Sequence, residues 1–192
     1  MINGIDYLKK MYPDRDDKDY QPSGLDLRVG KVYSLYNTWS DEPNGLWRGE
    51  KHLPSYQEIE PKHFGYLMNG YHDNDKYTDI YGWKIVPNYP YIFEVDRQIE
   101  IGQNNAQFYL PRSTLLRAGV NVYTALGDLG YNGHLSFLVI NHYDSPFFIE
   151  KGERFAQLID FEVKGGSESY DGDYQEKPDW RIDCGRTLAF NR

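Results

Sequence analysis

Residues 111–141 bring a cation, hydroxyls and one carboxylate close together in the sequence PRSTLLRAGVNVYTALGDLGYNGHLSFLVIN. Arg112, Ser113 and Thr114 precede an apolar segment, and Asp128 follows inside a glycine-rich hairpin. A guanidinium and a hydroxyl beside the free N–H groups of a helix start can converge on phosphate oxygens. The same residues also suit a solvated helix start and a polar turn, because serine caps helices and Asp and Gly are turn formers. The pattern alone leaves both interpretations open.

The composition limits the class of protein. At 192 residues the chain is long enough for one domain, and we expect residues 1–192 to form a single one. A formal net charge of -8 argues against a nucleic-acid partner, which would require a basic surface. An anionic ligand must then be met by a local cluster of cations. No apolar run approaches the length that crosses a bilayer, and the N-terminus lacks a signal-peptide pattern, so we expect no membrane partner and a cytoplasmic location.

The residue pattern is that of a β-protein. Aromatic residues make up 16% of the chain and include 18 tyrosines, a residue type enriched in strands. Short strand-like segments separated by turn residues favour a sandwich, jelly roll or barrel. Helix is expected at residues 112–118, with a second short helical pattern at residues 4–11. Residues 38–74 are broken by proline, glycine and charges and are expected to form an insertion or long loops, and residues 165–192 form a polar tail.

Two classes of nucleotide chemistry are excluded by the residues that the sequence lacks. The five histidines are scattered, and the single cysteine, Cys184, cannot complete the zinc site of a zinc-dependent nucleobase deaminase. The glycine-rich phosphate loop of P-loop enzymes is also absent from the sequence.

Five separated segments resemble, in order, the motifs of the dUTPase and dCTP deaminase superfamily, and within it the dUTPase branch with a deaminase-like second motif. They are PSGLDLRVG (22–30), PRSTLLRAGV (111–120), TALGDLGYNG (124–133), EKGERFAQLIDFEV (150–163) and YDGDYQ (170–175). The resemblance implies an all-β, jelly-roll-like barrel or sandwich with one short helix, assembled as a homotrimer with active sites shared between subunits. It further implies hydrolysis of dUTP to dUMP and diphosphate with Mg2+, the metal being held mainly by the substrate phosphates and water rather than by protein side chains.

The same resemblance suggests roles for individual residues. Asp128 would be the catalytic residue, which binds the 3'-hydroxyl of the deoxyribose and orients or deprotonates the attacking water. Tyr131 would lie under the deoxyribose and exclude a 2'-hydroxyl, while the hairpin backbone at residues 120–133 reads the uracil. Arg112, Ser113, Thr114 and Arg117 would bind the phosphates, a structural role being the alternative for Arg117.

Further residues are assigned on the same basis. Gln157 would hydrogen-bond toward the phosphates, and its place in an otherwise apolar strand suggests a buried amide that needs partners. Asp26 would be either a buried structural residue or a support close to the site. The tail would close over base and triphosphate as a flap formed by Tyr170, Gly172, Tyr174 and Gln175. Lys177 and Arg181 are the candidate cations for the phosphates.

The two activities of the superfamily differ at one position. Deaminases carry a proton-shuttling glutamate on the strand after the third motif, and alignment from Gly133 places Leu138 there. Leucine cannot transfer a proton, which favours the dUTP diphosphatase. A dCTP deaminase, a bifunctional enzyme and, third, a non-catalytic nucleotide-binding regulator remain the alternatives. Asn132 departs from the arginine or lysine common after the motif tyrosine, which bears on the phosphate contacts of the flap.

Overall fold

The fold is described by a computed structural model over residues 2–36, 50–52, 55–68, 76–165, 168–172, 175–176 and 187–189. The helices are α1 (Ile5–Met11) and α2 (Ser113–Arg117). The strands are β1 (Tyr20–Gln21), β2 (Gly24–Tyr36), β3 (Glu50–His52), β4 (Ser55–Glu58), β5 (Lys62–Met68), β6 (Lys76–Ile85), β7 (Pro90–Val95), β8 (Ile99–Glu100), β9 (Asn105–Pro111), β10 (Val120–Tyr123), β11 (Asn132–Gly133), β12 (Ser136–Asn141), β13 (Phe147–Glu150), β14 (Arg154–Glu162) and β15 (Thr187–Ala189).

The main sheet runs in the order β10-β12-β7-β2-β14-β9, with β1 and β4 also paired to β2. The long strand β2 joins its two halves, because residues 25–28 pair with β14 and residues 29–34 pair with β7. The register shifts between Val29 and Lys31, at Gly30. A Cβ at Gly30 would lie 2.6 Å from the Cα of Asp96, so only glycine allows this close approach.

The two end strands of the sheet curl toward each other. Thr124, just after β10, donates a hydrogen bond to the carbonyl of Tyr109 on β9 at 2.7 Å. Gln107 of β9 and Gly127 exchange two backbone hydrogen bonds, at 2.8 and 2.9 Å. The result is a nearly closed barrel-like sheet, which confirms the predicted all-β class. These hydrogen bonds fix the hairpin that carries Asp128 to the end of the barrel.

The interior is filled by alternate residues of the strands, as a period of two requires. Phe93, Phe137 and Phe155 are buried, and the ring of Phe155 meets that of Phe93 edge to face at 5.6 Å and that of Phe137 tilted at 5.9 Å between centroids. Strand β12 alternates buried and half-buried residues along its whole length. The outward-facing residues of the same strands are therefore available for a ligand or a partner.

Part of the predicted loop region forms strands instead. Within residues 38–74, the described portions include β3, β4 and β5, and β5 pairs with β6 over residues 62–68. Residues 59–61 join β4 to β5, whereas residues 38–49, 53–54 and 69–74 lie outside the described residues, as does most of the tail. Whether the range is an insertion, and whether residues 1–192 form one domain, stay predictions. Among the described helices, none is both long and apolar enough to span a membrane.

Candidate active site

Asp128 lies on a tight turn whose backbone is fixed from both sides. Gly127 is held by its paired hydrogen bonds to Gln107, and the N–H of Tyr131 donates to the carbonyl of Asp128 at 3.2 Å. Gly130 adopts a φ of +72°, a left-handed conformation that glycine accepts without strain. The side chain of Asp128 is exposed. The turn therefore presents one carboxylate to solvent on a rigid backbone.

A buried polar network supports this turn from below. The side chain of Gln107 donates to Asp160 at 2.9 Å and to the hydroxyl of Tyr12 at 2.8 Å, and it accepts a hydrogen bond from Tyr109 at 3.0 Å. A Cβ at Gly127 would lie 2.4 Å from the Tyr109 hydroxyl, so the turn rests directly on this network. Burial raises the pKa of both tyrosine hydroxyls above the ordinary value, which keeps them as neutral donors.

Asp160 is the centre of the network. It is 2% exposed, and three side-chain amides donate to it: those of Asn3 and Asn105, each at 2.6 Å, and that of Gln107. The sequence pattern did not identify these residues as part of a site. Their signal was present as polar residues at inward positions of apolar strands, Gln107 in NAQFYLP and Asp160 in RFAQLIDFE.

Tyr131 follows Asp128 by three residues and is half-buried. Its hydroxyl donates to the carbonyl of His134 at 3.2 Å, and its ring meets that of Tyr170 edge to face at 5.5 Å. Burial, with a smaller effect of Tyr170, raises the pKa of Tyr131 to about 12. The hydroxyl is therefore neutral at physiological pH, and the half-buried ring lies on the turn three residues after Asp128.

The four residues predicted to bind phosphate are here called the phosphate cradle: Arg112, Ser113, Thr114 and Arg117. The first of them contacts a buried acid. Asp26 is 1% exposed; its Oδ2 accepts a hydrogen bond from Arg154 at 3.1 Å and lies 3.7 Å from Nε of Arg112. Burial raises the pKa of Asp26, and the charges of Arg112 and Arg154 oppose that shift. Asp26 is therefore buried and in direct ionic contact with Arg112, a residue predicted to bind phosphate. It holds the two arginines at one place on the surface.

Helix α2 arranges the remaining members of the cradle. Arg112 is its N-cap residue and donates its backbone N–H to Phe155 at 3.1 Å, which fixes the helix start against β14. Arg117, one turn later, donates to the hydroxyl of Ser113 at 3.3 Å. Ser113, Thr114 and Arg117 are all exposed. The structure therefore brings Arg117 to Ser113, while the phosphate-binding role of both residues stays a prediction.

Gln157 lies on the outward face of β14, in register with Asp26 on β2 and Leu110 on β9. It is half-exposed rather than buried, because its strand position faces away from the core. Within the part of the chain that the structure describes, its side chain makes no hydrogen bond. The side-chain amide of Gln157 is therefore available to a ligand that binds beside Asp26, Arg112 and Arg154.

The described part of the tail contacts the turn of Asp128. Tyr170 donates its N–H to the carbonyl of Leu129 at 2.7 Å, and the side chain of Gln175 bonds to Gly130 and to Asn132. Gly172 belongs to this stretch. Three predicted flap residues, Tyr174, Lys177 and Arg181, lie outside the described residues.

The predicted site therefore forms two groups in one chain. The Asp128 group comprises the turn, Tyr131 and the tail residues 168–172 and 175–176. The Arg112 group comprises Asp26, Arg112, Ser113, Arg117, Arg154 and Gln157. Over the described ranges, no hydrogen bond or ion pair joins the two groups. The described residues also contain no set of three or more His, Cys, Asp and Glu side chains arranged to hold a metal ion.

Leu138 lies on the outward face of β12, between Tyr123 of β10 and Ile92 of β7. It is half-buried, and its side chain carries no group that can accept or donate a proton. At the position assigned to the proton-shuttling glutamate of deaminases, this chain therefore carries an aliphatic side chain.

Comparisons with known proteins agree with this architecture. The sequence model of the dCTP deaminase-like family matches residues 7–163. A protein of Methanothermobacter thermautotrophicus named "Probable deoxyuridine 5'-triphosphate nucleotidohydrolase" is 40% identical, with 92% of this chain and all of that protein covered. A protein of the same name from Methanopyrus kandleri is 36% identical, with 91% and 99% covered.

Among solved structures, the 2'-deoxycytidine 5'-triphosphate deaminase of Agrobacterium tumefaciens aligns with a TM-score of 0.57. Its sequence identity is 16%, so the likeness concerns the fold alone; the alignment covers 83% of this chain and 47% of that longer chain. The family match over most of the chain, together with relatives at 36 and 40% identity, establishes that this chain belongs to the dCTP deaminase-like family.

Proposed function

We propose that the protein is a dUTP diphosphatase that hydrolyses dUTP to dUMP and diphosphate. The observation that carries this proposal is the exposed carboxylate of Asp128, held three residues before Tyr131 on a rigid turn. The names of the two archaeal relatives support the same activity. A cytoplasmic location and the absence of a nucleic-acid partner remain predictions from composition.

In the proposed mechanism, Asp128 orients a water molecule for in-line attack on the α-phosphorus and accepts its proton as the new P–O bond forms. The bond to the bridging oxygen breaks, and diphosphate leaves. Most of the catalysis of phosphoryl transfer comes from positioning and electrostatic stabilisation, so a rigid turn suits this role. Tyr131 would pack against the deoxyribose and leave no space for a 2'-hydroxyl.

The triphosphate would be bound by Arg112, Ser113 and Arg117, with Thr114 and Gln157 at the margins. Mg2+ is the proposed cofactor, held mainly by phosphate oxygens and water. This donor set fits a hard cation that prefers oxygen ligands and keeps several of its waters. When bound, the ion would neutralise charge on the leaving diphosphate. Arginines beside a buried acid then provide local positive charge in a net-acidic protein.

We further propose that the active site is completed in a homotrimer. Over the described residues no hydrogen bond or ion pair joins the Asp128 and Arg112 groups, and a neighbouring subunit would bring them together. The outward face of β9 and β14 offers a surface for this contact: Phe108 is 53% exposed, Leu110 is 49% exposed, and Phe108 stacks on Phe161 at 5.0 Å. This apolar face continues directly into Asp26 and Gln157. A second copy packed there would lie beside the phosphate cradle.

Phe108→Asp is expected to convert the trimer into monomers and to abolish activity, because it places a charge at the centre of an apolar contact. Size-exclusion chromatography with light scattering measures the change directly. Tyr81→Asp is the control, since Tyr81 is 44% exposed on β6, which belongs to a different sheet from β9 and β14. A monomeric wild-type protein would remove the shared-site proposal.

The family description keeps deamination of dCTP, alone or together with dUTP hydrolysis, as the second candidate. Leu138 argues against it, because attack at C4 of cytosine needs a proton shuttle. Incubation of the pure protein with Mg2+ and dCTP, followed by chromatography, separates the candidates. We expect no dUTP or dUMP from dCTP; either product would reinstate the deaminase.

A further inference from the structure

The tail is held close to the turn of Asp128 in the same chain by contacts that begin at the end of β14. At the end of β14, the N–H of Val163 donates to the carbonyl of Asn104 at 2.8 Å. Asn104 lies in the loop of residues 101–104, between β8 and β9. This loop also bonds to the turn of Asp128, because the N–H of Gly130 donates to the carbonyl of Gly102 at 3.4 Å. Ser169, six residues after Val163, hydrogen-bonds to Gln103 of that loop. Six residues span at most about 20 Å when fully extended, so this short connection directs the tail to its own turn.

Gln175 makes a paired contact with the turn. Its Nε2 donates to the carbonyl of Gly130 at 2.8 Å, and its Oε1 accepts from the N–H of Asn132 at 3.1 Å. The N–H of Glu176 donates to the carbonyl of Asn132 at 2.8 Å, and Tyr170 bonds to Leu129. The side chain of Gln175 is half-buried. Both ends of its amide are thus used by the protein rather than left for a substrate.

We propose that Gln175 is a positioning residue, which fastens the tail in cis to the turn that carries Asp128. Each active site would then take its turn and its tail from one subunit and its phosphate cradle from another. This inference rests on the proposed function for its kinetic consequence, but the contact itself concerns the nucleotide-free protein. It replaces the direct substrate contact that the resemblance implies for Gln175.

The amide of glutamine is specific for this contact. It offers one donor and one acceptor at the same distance from the backbone, which match a carbonyl and an N–H two residues apart. A glutamate has no donor for the carbonyl of Gly130, and alanine has neither group. Gln175→Ala and Gln175→Glu should therefore both release the tail. Glu176→Gln is the matched control, because Glu176 contributes only its backbone N–H and its side chain is exposed.

Hydrogen exchange of the nucleotide-free protein tests the contact without any reference to activity. We expect the N–H of Asn132 and that of Tyr170 to exchange roughly tenfold faster in both Gln175 variants than in wild type, and unchanged in Glu176→Gln. Equal exchange in wild type and Gln175→Ala would overturn the role of Gln175.

A crosslink decides whether the tail closes in cis. Gln103→Cys and Ser169→Cys are combined in a Cys184→Ser background and treated with a short bismaleimide. An internal crosslink on a single chain is expected on a denaturing gel, whereas crosslinked dimers and trimers would show closure onto a neighbour. The variant with Gln103→Cys alone is the control.

Kinetics then connect the contact to catalysis. With dUTP as substrate, Gln175→Ala should raise KM roughly tenfold with a smaller change in kcat, since the tail closes over bound substrate while Asp128 stays in place. Equal KM values in Gln175→Ala and Glu176→Gln would contradict the positioning role. If wild type hydrolyses no dUTP, the proposed function fails, while the exchange and crosslinking results still decide the inference.

Discussion

Asp128→Asn is expected to lower kcat for dUTP hydrolysis by about 10²- to 10⁴-fold, the range of a lost general base. Asparagine keeps the size of the side chain and removes the charge that would orient and deprotonate water. KM should change less than kcat, because the side-chain oxygen of asparagine can still accept a hydrogen bond from the 3'-hydroxyl. Steady-state release of diphosphate measures both constants.

The matched control is Asp144→Asn, which alters an exposed acid on the loop after β12. It should leave kcat within a factor of two, which is about 0.4 kcal/mol in activation free energy. The thermal midpoint of Asp128→Asn should also stay close to that of wild type. An Asp128→Asn enzyme with near-normal kcat would show that the attacking water is oriented by another group.

Asp160→Ala is expected to lower the free energy of unfolding by about 3–5 kcal/mol. The change leaves the side-chain amides of Asn3 and Asn105 without their acceptor and removes one of the two acceptors of Gln107. Unpaired buried donors cost more than the net worth of the hydrogen bonds they lose. Denaturant unfolding monitored by circular dichroism measures the difference.

Glu162→Ala provides the control two residues further along β14, where the side chain is exposed. Its unfolding free energy should change by no more than about 0.5 kcal/mol. Asp160→Ala should also weaken catalysis in the protein that remains folded, since Gln107 joins the network to Gly127. A stability equal to that of wild type would show that the network does not hold the turn.

The sequence predicted the parts of the fold that depend on local pattern. The apolar run FLVI, bounded by polar and turn residues, is typical of a strand and lies in β12, and Gly30 interrupts the strand pattern where the register of β2 shifts. Arg112 and Ser113 were correctly expected at a helix start. Each of these features is decided by residues close in sequence, through periodicity, turn chemistry or capping.

Features that depend on distant residues were not predicted. The side-chain amide of Gln107 and the carboxylate of Asp160 meet across two strands, and a polar residue in a strand gives no sign of its partner. Asp26 was left between a structural and a supporting role, because only the folded sheet shows that one carboxylate meets Arg112 and Arg154. The cis contact of Gln175 likewise depends on where β14 ends relative to the turn of Asp128.

The central claim is that water, oriented by Asp128, attacks the α-phosphorus of dUTP. The most direct measurement is the reaction of the pure protein with dUTP and Mg2+ in ¹⁸O-labelled water, with mass spectrometry of both products. We predict dUMP that carries the label and diphosphate that does not. Label in diphosphate would place the attack on the β-phosphorus and contradict the mechanism. No product from dUTP at all would contradict the proposed function and favour a nucleotide-binding protein without this activity.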